Sequence, residues 1–311
     1  MTPSAGRRLI AAGAAGMTAA GAARLAYSAL NRRPPGGPKT WWRTNHRGEP
    51  VTLLEGPAVA AGAIAGMLAQ ACWPSSRWRA AAAMTAAGAG AAVFGAYDDL
   101  AGSGHRRGFR GHLGALRHGE VTSGAVKLGG IGAVGIVSAA LAGGSPADVV
   151  LNAGLIAGGA NLLNLFDLRP GRAIKVAVAC AAPGVPSTAA PLAAALALLA
   201  EDLGERAMLG DAGANALGAM LGAAASALPR LARIALLTGI AGLTVASEKV
   251  SFTEVIERTP ALRKLDMLGR RPGPASPAGM TAARRHHDDP FAGAGTIVRS
   301  AGQSEPTPPD A

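Results

Sequence analysis

The chain has 311 residues, of which 49% are hydrophobic, 16% charged and 4% aromatic, with a formal net charge of +11. A soluble domain carries about 25% charged residues, so this composition argues against a single water-soluble globule. The basic residues sit mainly between apolar runs, with no aromatic-interleaved basic patch of the kind that grips single strands, which argues against nucleic acid as the partner.

The first apolar run covers about 9–30 and follows Arg7 and Arg8. It reads as a retained span. A cleaved signal peptide is the rival reading, but the run is long, contains Arg24 and lacks a clear cleavage site. Further spans are predicted at about 57–73, 79–97, 125–143, 148–166, 173–183, 186–200, 212–228 and 232–247. The expected fold is an all-α, polytopic membrane helix bundle of about nine transmembrane helices (eight to ten), with cytoplasmic active-site loops. The pair between 173 and 200 is short for spans, which need about 20 residues, and Pro183 and Pro186 read as a turn between them. The 44 glycines suit close helix packing. Cys72 and Cys180 show no metal or CxxC spacing and read as small buried hydrophobes. Residues 272–311, rich in Pro, Gly, Ser, Arg and Asp, read as a disordered cytoplasmic tail. There His286, His287, Asp288 and Asp289 read as a solvated charge run.

Nine spans with the N-terminus outside put 31–56, 98–124, 167–172, 201–211 and the chain after 247 inside. The first two of these connections hold Arg32, Arg33, Lys39, Arg43, Arg47, Arg106, Arg107, Arg110 and Arg117. The positive-inside bias favours this orientation. The same count brings Asp98, Asp99, Asp167 and Asp211 to one face. It requires 173–200 to be two segments.

Three polar clusters interrupt the apolar pattern. Asp98 and Asp99 end a nearly uncharged run, where a carboxylate near hydrocarbon must be paired, wetted or bound to a cation. Asn161, Asn164 and Asp167 recur every three residues, one drifting stripe on a helix that suits either interhelical hydrogen bonds or a ligand. Arg169, Arg172 and Lys175 follow at once, and cations there suit a phosphate-bearing ligand. The sequence GDAGAN at 210–215 places Asp211 either as a helix cap or as a cation ligand, and a Mg²⁺ site needs only such oxygens plus phosphate and water. Lys127, just inside an apolar run, either snorkels to the interface or neutralises a pyrophosphate. His105, His112 and His118 lack zinc-ligand spacing and read as loop residues. Together these groups suit phosphoryl transfer, in which positioning and charge neutralisation dominate.

The ordered set NHRGEPV (45–51), YDDL (97–100), NLLNLFD (161–167) and GDAGANALG (210–218) resembles the polyprenyl-phosphate N-acetylhexosamine-1-phosphate transferases. That family includes phospho-N-acetylmuramoyl-pentapeptide transferase and GlcNAc-1-phosphate transferases. The resemblance covers about 45–271 and makes 1–271 a transferase-like membrane domain. It implies transfer of a sugar-1-phosphate from a UDP-sugar to polyprenyl phosphate at the inner face of the cell membrane. UMP is released, and the product feeds an envelope polymer. It further implies a requirement for Mg²⁺, with Mn²⁺ as a substitute. By the same resemblance Asp98 and Asp99 handle the lipid phosphate, Lys127 contacts the pyrophosphate, and Asn164 and Asp211 hold the metal. Asn161, Asp167, Arg169, Arg172, Asn215, Arg270 and Arg271 are the expected substrate contacts. The partners implied are the nucleotide sugar, the lipid phosphate and membrane lipid, and Gly-rich faces permit a homodimer. Two departures stand out. The acid-and-glycine continuation DGLDGLA is replaced by DLRPGRAIK, and the histidine motif near the C-terminus is replaced by SFTEVIERTPALRKLDMLGRR. A family-like protein that binds without turnover is therefore the alternative.

Overall fold

A computed structural model describes residues 3–73, 78–101, 122–181 and 186–272. The expected turn at Pro183, the histidine-bearing loop with His105, His112 and His118, and the tail with His286 and His287 lie outside the described residues.

Twelve α-helices and one small hairpin make up the described chain. Helix α1 is Pro3–Arg32 and the short α2 is Pro38–Trp41. Strands β1 (Trp42–Thr44) and β2 (Pro50–Thr52) pair antiparallel, Arg43 opposite Val51. Helices α3 (Glu55–Ala71), α4 (Trp78–Ala101), α5 (Ser123–Ala142) and α6 (Pro146–Phe166) follow. Then come α7 (Arg172–Cys180), α8 (Ala189–Leu203), α9 (Gly210–Ala224) and α10 (Arg230–Ser247). Two short helices, α11 (Phe252–Arg258) and α12 (Pro260–Met267), close the described chain.

Local chemistry explains several of these boundaries. Ser145 and Asp148 form a reciprocal capping box at the start of α6, with Pro146 at its first turn. The Thr122 hydroxyl accepts from the Ala125 N–H, 3.1 Å, and starts α5. Gly48, at φ +81°, turns the hairpin, and the Asn45 side chain accepts from the N–H groups of Arg47 and Glu49. The motif NHRGEPV is thus the tip and return strand of the hairpin. Beyond it, Thr52 forms a parallel bridge with Ala207, fixed by Met208 N–H to the Thr52 carbonyl at 3.0 Å.

Each of the nine apolar runs falls on a helix of the described chain; α1 starts six residues before the predicted 9, and the other ends lie within four residues of those predicted. Five helices, α1 from Gly6 and α4, α5, α6 and α10, are long and apolar enough to cross a membrane. Helices α3, α8 and α9 have 17, 15 and 15 residues, and α7 has only 9. The stretch 173–200 does divide into two helices, so the chain returns to the end of the bundle where α4 finishes.

The core is built largely of alanine. Ala19, Ala23, Ala87, Ala91, Ala160, Ala190 and Ala194 are fully enclosed alongside Met84, Ile156, Leu198, Leu217 and Met220. Small side chains let helices approach and gain dispersion contact without a driving force from water. Large apolar side chains point outward instead: Met17 is 75% exposed, Val150 73% and Leu231 80%. Cys72 and Cys180 are also exposed, contrary to the buried expectation. Both sit at helix C-termini, where the chain leaves the packed interior.

Candidate functional site

The three polar clusters do meet. Lys127, one turn into α5, stands between the end of α4 and the start of α9. Its Nζ lies 2.7 Å from Asp98 Oδ2 and 2.6 Å from Asp211 Oδ2. All three side chains keep some exposure, 14% for Lys127, 16% for Asp98 and 24% for Asp211. One cation thus holds two carboxylates from helices 113 positions apart in sequence.

Asp99 does something different. Its two oxygens accept the backbone N–H of Asp211 (3.0 Å) and of Ala212 (2.9 Å). It caps α9 from another helix, satisfying two N–H groups that a helix leaves unpaired and placing negative charge at the positive end of its dipole. Adjacent residues on a helix diverge by about 100°, so Asp98 turns to Lys127 while Asp99 turns to α9. The Arg43 guanidinium donates to the Asp99 backbone carbonyl and ties β1 to the same point.

Two glycines permit this junction. A Cβ on Gly95 would lie 2.3 Å from the Asp211 carbonyl oxygen, so only glycine lets α4 and α9 cross there. Gly210 has φ +58°, and a Cβ there would meet Leu53 and the Asp99 carboxylate. The Gly210 backbone amide faces Asp167, at the C-terminal cap of α6. Burial pushes the Asp167 carboxyl well above the usual carboxylate range, and nearby Asp202, Asp211 and Asp99 push it the same way.

Beside the Lys127 cluster opens a cavity of about 510 Å³ between α5, α6, α9 and α10. Lys127, Asn161, Asn164 and Asn215 line it, as do Thr244 of α10 and Glu248 at that helix's C-terminal cap. Asn161 donates to the Thr244 hydroxyl at 3.2 Å. Asn215 is 1% exposed, and its amide Nδ2 has no hydrogen-bond partner among the described residues. A buried unpaired donor costs about 1–3 kcal/mol, so it calls for an acceptor oxygen in that cavity. Thr244 and Glu248 escaped the sequence reading because they end an apolar run without a recognisable motif.

A second, smaller cavity of about 180 Å³ takes in Asn45, His46, Asp167, Arg169, Asp202 and Glu205. Glu205 adopts φ +58°, a conformation that costs a non-glycine residue energy. It is held there by Asn45 (2.9 Å) and Arg47 (2.9 Å). Burial lowers the His46 imidazole below its ordinary range.

The remaining expected substrate contacts are engaged elsewhere. Arg172, 3% exposed, makes a bidentate pair with Asp266 at 2.7 and 3.1 Å and donates to Thr253. Arg270 also binds Asp266, at 2.7 Å, and Lys175 donates to the Asp266 carbonyl at 2.6 Å. Arg271 pairs with Glu49 at 2.8 and 3.2 Å. Arg169 reaches Glu257 at 3.8 Å. These contacts latch α11 and α12 across the loop after α6. Burial disfavours the ionised Asp266, yet its bonds to Arg172 and the charges of Arg172, Arg270 and Lys175 outweigh that and hold the carboxyl below the usual range.

Among the described residues no group of three or more His, Cys, Asp or Glu side chains is arranged to hold a metal ion. Mg²⁺ asks for less, because it keeps several waters and takes one or two protein carboxylates beside substrate phosphate. Asp98 and Asp211 already converge on one positive charge, and the Asn164 side chain lines the adjoining cavity. That donor set fits the hard-oxygen preference of the ion. No protein-family model matches this chain, and no characterised protein matches it in sequence.

Proposed function

We propose that the protein is a nine-span cell-membrane transferase with its site at the cytoplasmic face. It moves a sugar-1-phosphate from a UDP-sugar to polyprenyl phosphate for envelope-polymer synthesis. The observation that carries this reading is the Lys127 ammonium between Asp98 and Asp211, beside a cavity with the unpaired Asn215 amide. Such a site joins two acids, one cation and several amide groups at the end of an apolar bundle. It suits a doubly phosphorylated donor and a lipid phosphate acceptor.

In the reaction an oxygen of the lipid phosphate bonds to the β-phosphorus of the donor. The bridge to the α-phosphate breaks, and UMP leaves with that bond's electron pair. Asp98 orients the acceptor phosphate and takes its proton where one is present. Lys127 neutralises charge on the pyrophosphate as it builds toward the leaving group. Asn161, Asn164 and Asn215 offer fixed amide contacts to donor oxygens. Asp99 acts through Asp211 as a positioning residue, since its carboxylate is spent on the α9 backbone. Asn164 and Asp211 would hold Mg²⁺, which when bound supplies further neutralisation of the donor phosphates. The second cavity, with Asp167 and Arg169, offers room for the nucleoside end of the donor.

A second reading is favoured by one observation. Arg172, Arg270 and Arg271 are tied to Asp266 and Glu49, leaving fewer free cations for a nucleotide. On that reading the protein binds nucleotide sugar or lipid phosphate without turnover, as a scaffold. The test is transfer of radiolabelled sugar phosphate from a panel of UDP-sugars to polyprenyl phosphate by purified protein with Mg²⁺. Transfer that disappears in Asp211→Ala supports the enzyme. Nucleotide-sugar binding without transfer across the panel supports the scaffold. Undiminished turnover in Asp211→Ala overturns the metal assignment.

A further inference from the structure

Helix α12 carries apolar side chains that nothing in the described chain covers. Leu262 is 41% exposed, Leu265 64% and Leu268, just past the helix, 67%. Their spacing of three places them on one side of a single helical turn and a half. One margin of this stripe, a turn on from Leu262, is occupied. Asp266, 7% exposed, points to Arg172 and Arg270, so the helix cannot roll its leucines inward without breaking the bidentate pair.

Charge and chain path bear on what this face would meet. Arg263 and Lys264 flank the leucines, are exposed and make no ion pair with any described residue. The nearby acids Glu254 and Glu257 are already paired, with Arg258 and Arg169 respectively. Helix α10 is long and apolar enough to cross a membrane, only 6% of its apolar window is buried, and it ends at Ser247. Phe252 opens α11 five residues later and stacks on Phe166, at the end of another such helix, with ring centroids 5.2 Å apart. The short helices are therefore anchored at the bundle end where two apolar helices finish. An amphipathic helix with leucines on one side and unpaired basic residues at their edge suits the boundary between acyl chains and anionic headgroups.

We propose that the α12 face of Leu262, Leu265 and Leu268 docks into the lipid surface around the bundle, with Arg263 and Lys264 on anionic headgroups. This rests on the membrane reading of the bundle and is independent of any transfer reaction. The latch through Asp266 makes the docked helix a fixed part of the site's rim.

The experiment uses the full chain in nanodiscs of phosphatidylcholine alone or with phosphatidylglycerol. A Leu265→Cys variant, in a background with Cys72→Ser and Cys180→Ser, carries an environment-sensitive fluorophore, and a Glu254→Cys variant carries the same probe as the reference. Nitroxide-bearing lipid reports contact with the acyl region, and aqueous iodide reports exposure to water. The expected result is quenching by nitroxide lipid about threefold stronger at 265 than at 254, rising further with phosphatidylglycerol. Adding Lys264→Glu and Arg263→Glu is expected to remove the phosphatidylglycerol-dependent part. Equal iodide quenching at both positions overturns the proposal. So does protection at 265 from both quenchers that appears only when two copies share a nanodisc, because a second copy is then the occupant.

Discussion

The Lys127 cluster and the Asp266 latch are both built from buried charge, yet they are opposite in balance. Around Lys127, two aspartates, Asp98 and Asp211, share one cation, while the neighbouring Asp99 has its needs met by backbone N–H groups. Around Asp266, one carboxylate serves Arg172 and Arg270, while Lys175 takes its backbone carbonyl. The first region is short of positive charge and adjoins a cavity. The second is short of negative charge and is closed by a helix. A partly exposed cluster with excess negative charge has capacity for a cation and for a phosphate that brings its own. A closed bidentate pair with side chains 4% and 6% exposed does structural work.

Substitutions should separate the two regions. The largest effect is expected from Lys127→Ala, with a loss of about 10²–10³-fold in kcat/KM for labelled transfer, since a group aimed at developing charge is removed. Folding should survive, because water reaches Asp98 and Asp211. Full activity in this variant would dissolve the contrast. Next comes Asp266→Ala, which strands the Arg172 guanidinium. A destabilisation of about 3 kcal/mol is expected in thermal or denaturant unfolding, with activity per folded molecule little changed.

Asp99 offers a finer test. Asp99→Ala should cost about 1 kcal/mol through loss of the α9 cap, and should lower transfer by displacing Asp211. Asp99→Asn keeps one acceptor oxygen and should recover most of both losses. Asp98→Asn should not recover transfer, because an amide supplies neither the negative charge opposite Lys127 nor a base for the acceptor's proton. Equal rescue at both positions would erase the division of labour between the two residues.

The smallest effects are linked to pH and to the rim. Asp266 is held below its ordinary range when folded, so its contribution is present above the unfolded carboxylate pKa of about 3.9 and is lost as pH falls through the lower folded value. Unfolding temperature followed downward from pH 5 should fall less steeply in Asp266→Asn than in the parent. Glu49→Ala removes an exposed partner of Arg271 and should leave the unfolding temperature in place.

Much of this architecture is legible in the sequence for a simple reason. Apolar runs bounded by charge or by Ser-Pro mark helices well, and α6, predicted at 148–166, is observed at Pro146–Phe166. Helix count, once 173–200 is divided in two, brings Asp98, Asp99, Asp167 and Asp211 to one end of the bundle, but it does not give the contacts of Lys127 with Asp98 and Asp211. Tertiary pairings are a different matter. Nothing local to Arg172 tells it to seek Asp266, 94 positions away, instead of a phosphate. Asp99 looks identical to Asp98 in the sequence, and only the turn of the helix separates their partners. Thr244 and Glu248 are hidden at the end of a run whose other side chains are apolar. The hairpin is not legible as strands, because three-residue strands carry too little pattern to be read.

The bridge between Thr52 and Ala207 has a consequence for the order of assembly. The hairpin after α1 is made early, but its partner backbone emerges 155 residues later. At ordinary synthesis rates that interval is on the order of ten seconds. Throughout it, the N-terminal helices can already be inserted while Thr52 has no strand to meet and Asp99 has no α9 to cap. Catalytic competence on the proposed reading therefore arrives only when the chain is two-thirds made. A nascent fragment ending before Met208 would be membrane-embedded but inert.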